Sequence, residues 1–154
     1  SNPKSVASFG SCQYINEADK PIFVSKAKRF APWLMTWGPD LVPLPGAVFR
    51  MSALKNLDYI FDDSLSLAMD LDLFIRLRRI GELVNVGQQV SSFRWHSQSA
   101  TVSSRSKSLQ EAETVKRRYY PKYLLPFAPL WELPVRIATN IAAKRVTQMA
   151  RSKL

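Results

Sequence analysis

Two carboxylates open a stretch of helical periodicity, Asp70-Leu71-Asp72-Leu73-Phe74-Ile75-Arg76-Leu77, and the single histidine, His96, closes a strand-like run at Arg94-Trp95-His96. A carboxylate at the mouth of a cleft can act as a general base, and an imidazole can ligate a metal or shuttle a proton. Each residue also has a plainer reading. Asp70 at a helix start satisfies free N–H groups and complements the helix dipole, and on position alone that reading outweighs the base. Asp72 stands four residues before Arg76, the spacing of an ion pair along one helix face. A lone histidine lacks the companions of a zinc site, so a cation held by His96 would need oxygen donors, which suits Mg²⁺ or Mn²⁺.

The elements that must position these residues can be read from pattern and punctuation. Val6 to Ile15 is rich in strand formers, Asn16-Glu17-Ala18-Asp19-Lys20 is turn chemistry, and Pro21 to Val24 is extended again, which together predict a β-hairpin. A short helix carrying Trp33 and Trp37 follows and stops at Gly38-Pro39. The Pro-stiffened loop Leu41 to Gly46 leads into a short strand, Ala47 to Arg50. Ser52 is expected to cap a small helix, Ala53 to Leu57. The periodicity predicts a helix from Met69 to Ile80 with Gly81 as its stop, burying Leu73, Phe74, Leu77 and Ile80. Glu82–Val86 and Val90–Trp95 read as two successive strands. Beyond a Ser-rich loop, Leu109–Tyr120 reads as a helix. Glu132–Arg151 reads as an amphipathic one, with Ile137, Ile141, Val146 and Met149 apolar and Arg136, Lys144, Arg145 and Arg151 basic.

The chain has 154 residues and a net charge of +10, distributed unevenly. Residues 1–102 hold 11 basic and 9 acidic side chains, whereas residues 103–154 hold 11 basic and 3 acidic. The basicity therefore belongs to the C-terminal third and suggests contact with an anionic surface. Its apolar periodicity favours packing or a membrane surface over nucleic acid. A single cysteine, Cys12, excludes an internal disulfide framework, and its place in a strand predicts a buried, inert thiol. The phosphate-loop, dinucleotide, zincin and serine-hydrolase motifs are all absent from the sequence.

The order of features is more specific than any one of them. Pro45-Gly46-Ala47-Val48-Phe49-Arg50, then Phe61-Asp62-Asp63-Ser64-Leu65, then Ala68-Met69-Asp70-Leu71-Asp72-Leu73 with Arg76-Leu77 and Gly81, and finally Phe93-Arg94-Trp95-His96 with Ser97 and Ser99, resembles the acceptor-side half of a family-2 inverting glycosyltransferase of the GT-A fold. The resemblance covers residues from about 5 to 104. It implies an α/β fold, a mixed sheet with flanking helices, over 1–104, followed by a basic helical tail over 105–154. It implies that Asp70 is the base that deprotonates an acceptor hydroxyl, and that His96 helps bind Mg²⁺ or Mn²⁺ or the donor diphosphate. Asp72, Arg76, Arg94, Ser97 and Ser99 become candidate contacts to the acceptor or the donor loop.

Met69 departs from the family, which has an acidic residue there. The family's donor half, with its Asp-x-Asp turn, precedes this pattern, so the resemblance implies the acceptor-side portion of a longer transferase with little activity alone. A nucleotide-sugar donor and a glycan or lipid-linked acceptor are the implied partners, in surface-polysaccharide or rhamnan-type synthesis at the cytoplasmic face of a membrane. A sheet edge left uncovered would favour self-association. The alternative is a noncatalytic binding or scaffold domain that keeps part of the fold.

Overall fold

A computed structural model describes residues 2–25, 28–95 and 104–152. The architecture is mixed α/β, an open four-stranded sheet with helices packed against it. The central strand is β1 (Ser5–Ile15). Its C-terminal half pairs antiparallel with β2 (Pro21–Ser25) as the expected hairpin. Asn16 makes the turn: its Oδ1 accepts the N–H groups of Ala18 and Lys20 at 3.0 and 2.9 Å, leaving Asp19 at φ 60°. Tyr14 and Phe23 face each other across the hairpin and stack with centroids 4.4 Å apart.

After α1 (Ala31–Trp37), β3 (Val48–Phe49) pairs antiparallel with the start of β1. The small helix α2 begins at Met51, not Ala53, and runs to Lys55. Its first residues follow β3 directly because Arg50 is tied to β1, donating its N–H to Val6 O at 2.8 Å and its Nε–H to Ser5 O at 2.7 Å. Ser52 consequently lies inside the helix and caps nothing.

The helix α3 (Met69–Ile80) has the expected bounds. Leu71, Leu73, Phe74, Ile75 and Leu77 are buried, and Phe9, Met35, Ala53 and Val115 belong to the same core. Ile80 departs from the expectation and is 51% exposed in the last turn. Gly81 ends the helix because space requires it. A side chain there would collide with Val6 and with the carbonyl oxygen of Lys4.

The two strands expected after Gly81 are one, β4 (Glu82–Arg94), parallel to β1. The pairing advances from Phe9↔Asn85 to Ser11↔Gln89, so β4 extrudes extra residues as a bulge while the ladder continues. Gly87 takes φ 72° in that bulge, and Gly10 opposite leaves room for the Gln88 carbonyl and the Val90 side chain. Cys12 is a buried thiol, as its strand position predicts.

The helix α4 (Arg105–Tyr119) packs on α3, contributing Val115 to the core, and a 3-10 turn over Lys122–Phe127 leads into α5 (Pro129–Ser152). Glu111 of α4 joins the two helices. Its Oε2 accepts the backbone N–H groups of Ser66, Leu67 and Ala68 at 3.0, 2.7 and 3.2 Å, just before α3 starts. Burial works against the ionised form, but the bonds from Leu67, Ser66 and Ala68 outweigh it and hold the carboxyl below its usual range. The linkage sign follows: this stability is present above the ordinary glutamate pKa and is lost as pH falls through the lowered folded value. Glu111→Gln is expected to cost about 1–2 kcal/mol at neutral pH in urea denaturation, with the gap to wild type closing in acid.

Candidate active site

A cleft of about 320 Å³ opens where the hairpin, the 37–45 loop, the start of α3, and α4 and α5 converge. Tyr14, Phe93 and Trp95 come to it from the sheet, Trp37 from the end of α1, and Tyr120 from the end of α4. Trp37 is held from behind, stacked on Tyr120 at 4.7 Å and edge-on to Trp131 at 5.8 Å. Such aromatic walls offer a ligand an apolar face to rest on, while polar groups between them can fix its orientation.

Asp70 lies on this cleft, in the first turn of α3. It is not the helix cap: the cap position is Ala68, and Glu111 takes the N–H groups leading into α3. Asp70 Oδ1 accepts the adjacent Leu71 N–H at 2.9 Å, and among the described residues no cation pairs with it. Burial raises its pKa, against the opposing pull of the backbone N–H groups of Leu71 and Asp70 itself. A half-buried carboxylate with capacity to spare and a raised proton affinity has the properties of a general base.

Among the described residues four carboxylates line the cleft: Glu113 and Glu132 are held in ion pairs by Arg136 and Arg117, and Asp40 is its second aspartate, which the sequence did not single out. The Gly38-Pro39 stop turns the chain so that Asp40 Oδ1 accepts the Val42 N–H at 3.1 Å at the cleft rim. Asp40 keeps contact with solvent, but protein surrounds it and reduces its hydration. That surrounding, and then the charge of Asp70, push its pKa up, while the Val42 bond and Lys116 pull the other way. Tyr14 feels the same environment: burial first, then Cys12, Asp40 and Asp70, raise its hydroxyl to about 12.

Cations balance this acidic side. The buried Lys116 ammonium donates to Gly38 O at 2.5 Å, and burial lowers its pKa. Arg136 is paired with Glu113. Arg105 donates through Nη2 to Thr139 O at 3.0 Å, and its buried Nε has no partner. The residues that set these charges, Lys116 and Arg105, also escaped sequence reading, because each sits in an unremarkable basic helix and meets the cleft only through packing.

Three of the other candidates serve the fold. Asp72 is fully buried on a different face of α3, its Oδ2 accepting from Arg76 Nε at 2.7 Å and its Oδ1 from the Tyr119 hydroxyl at 2.6 Å. Arg76 also donates to the carbonyls of Tyr59 and Ile60 and stacks on the Tyr59 ring. Arg94 clamps the hairpin turn through Asn16 O, Glu17 O and Asp19. None of the three lines the cleft. Asp62 accepts from Ser64 and Arg118, which lower its pKa to about 2. His96, Ser97 and Ser99 lie outside the described residues.

Asp40 and Asp70 are hard oxygen donors of the kind Mg²⁺ or Mn²⁺ prefers, but two carboxylates do not complete a cation site. No group of three or more His, Cys, Asp or Glu side chains that could hold a metal occurs among the described residues. The chain matches no protein-family model and no curated protein sequence.

Proposed function

We propose that this chain is the acceptor-side part of an inverting glycosyltransferase with Asp70 as its base. The observation that carries the reading is Asp70 itself, without an ion pair among the described residues and set in a cleft walled by Trp37, Trp95 and Tyr14. In this reading an acceptor sugar lies along the aromatic walls with one hydroxyl toward Asp70. The carboxylate takes the hydroxyl proton as the oxygen attacks the anomeric carbon, and the nucleoside diphosphate leaves from the opposite face with the bonding electron pair. Burial keeps the proton affinity of Asp70 high, and the charge of Lys116 partly offsets that of Asp40. The donor is a nucleotide sugar, and the acceptor a glycan or a lipid-linked glycan.

The test is transfer from a panel of nucleotide sugars by the longest natural form of the protein. Transfer that depends on Asp70 supports the proposal. Binding of glycans in the cleft with no transfer from any donor would return the chain to the noncatalytic reading. Trp95→Ala is expected to weaken acceptor binding about tenfold or more through lost stacking area, measured by titration calorimetry with the glycan.

A further inference from the structure

The helix α5 carries an exposed apolar row along its outer face, and we propose that this face lies on an anionic lipid bilayer. Its inward face is mixed: Trp131 packs on Trp37 and Tyr120 and Val135 lines the cleft, while Glu132 is buried against Arg117 and Arg136 pairs with Glu113. Its outward face is apolar. Leu130, Leu133, Ile137 and Ile141 are 73%, 52%, 58% and 48% exposed, and they follow one another at helical spacing. Helices on soluble domains bury the apolar stripe and solvate the charged one, so this arrangement leaves the larger cost uncovered.

The row is continued by Tyr123, Leu125 and Phe127 of the preceding 3-10 turn, all exposed. Lys144 and Arg145 close its far end, exposed and without an ion pair among the described residues. Apolar centre and cationic margin are the two attractions a bilayer interface offers: acyl chains for the first, anionic headgroups for the second. A second copy of this chain would cover the apolar row but would leave Lys144 and Arg145 without an anionic partner, which a bilayer of anionic headgroups supplies. No helix among the described residues is long and apolar enough to cross a membrane. With 24 residues α5 is about 36 Å long, and it lies in the interface plane instead of spanning.

The experiment is co-sedimentation of the chain with vesicles of phosphatidylcholine alone or mixed with phosphatidylglycerol. Wild type is expected to pellet with the mixed vesicles and weakly with the neutral ones. Because the net charge is +10, loose electrostatic adsorption must be separated from insertion. The variant Ile137→Ser with Ile141→Ser keeps every charge and, at two exposed positions, leaves the fold intact. It is expected to lose about tenfold or more in vesicle affinity. Lys144→Glu with Arg145→Glu is expected to abolish the preference for anionic vesicles. Leu130→Trp is expected to shift its emission to the blue on vesicle addition. Unchanged affinity of the serine variant, or a concentration-dependent dimer that Ile137→Ser abolishes while wild type ignores vesicles, would overturn the proposal. Sugar transfer is read in none of these assays, so their outcome is independent of the role of Asp70.

Discussion

Asp70→Asn is expected to reduce sugar transfer by about 10²- to 10⁴-fold while leaving acceptor affinity close to wild type. The amide is the size of the carboxylate and still accepts the Leu71 N–H, so the loss isolates proton abstraction. The variant should also separate catalysis from stability. Folding raises the Asp70 pKa, so the folded state holds this proton more tightly than the unfolded chain does. Its contribution to stability is present at low pH and is lost as pH rises from the ordinary carboxylate value through the raised one. At neutral pH the ionised side chain therefore weighs against folding, and the Asn variant should melt at the same temperature or higher. The acidic limb of kcat/KM should lie above the ordinary aspartate range, because the base must lose its proton to act. A large fall in melting temperature, or turnover within a few-fold of wild type, would remove Asp70 from the role of base.

The other large effect is expected two residues away and of the opposite kind. Asp72→Ala should destabilise the fold by about 3–5 kcal/mol, because it leaves the largely buried Arg76 guanidinium without its counter-charge. It also strips the Tyr119 hydroxyl of its acceptor and so weakens the contact between α3 and α4. Urea denaturation measures the loss. Replacing both partners, Asp72→Leu with Arg76→Met, should cost clearly less than the sum of the single changes, since no buried charge is then left alone. A loss below about 1 kcal/mol for Asp72→Ala would show that the pair is not the tie it is taken to be. Two aspartates on one helical turn are thus given separate work by the faces they occupy.

The sequence made that division only partly legible. The Asp72–Arg76 pair and the bounds of α3 follow from spacing and from Gly81, because both are local properties of one helix. The hairpin follows from its turn residues for the same reason. The setting of Asp70 is not local: the cleft it lines is closed by α4 and α5, which come tens of residues later, and Glu111 of α4 holds the segment that leads into α3. Asp40 reads as ordinary turn chemistry after Gly38-Pro39, and only the packing of the loop against α3 brings it to the cleft. β4 reads as two strands because Gly87 breaks its alternation, and only the unbroken partner β1 reveals one ladder. In α5 the apolar and basic residues were visible, but not the direction each face would take. That choice is made by partners in other elements: Arg117 and Glu113 draw Glu132 and Arg136 inward, and Trp37 and Tyr120 receive Trp131.

Cys12 turns the central strand into its own reporter. The thiol is wholly excluded from solvent on β1, between the registers of Ser25 on β2 and Ser91 on β4, and the sequence holds no other cysteine. A thiol-reactive dye can therefore modify the chain at one place only, and only while the sheet stands open. The ratio of the labelling rate to that of an unprotected thiol gives the free energy of that opening under native conditions. Bilayer contact through α5 and sugar binding in the cleft would each slow the labelling if they brace the sheet, with no engineered probe.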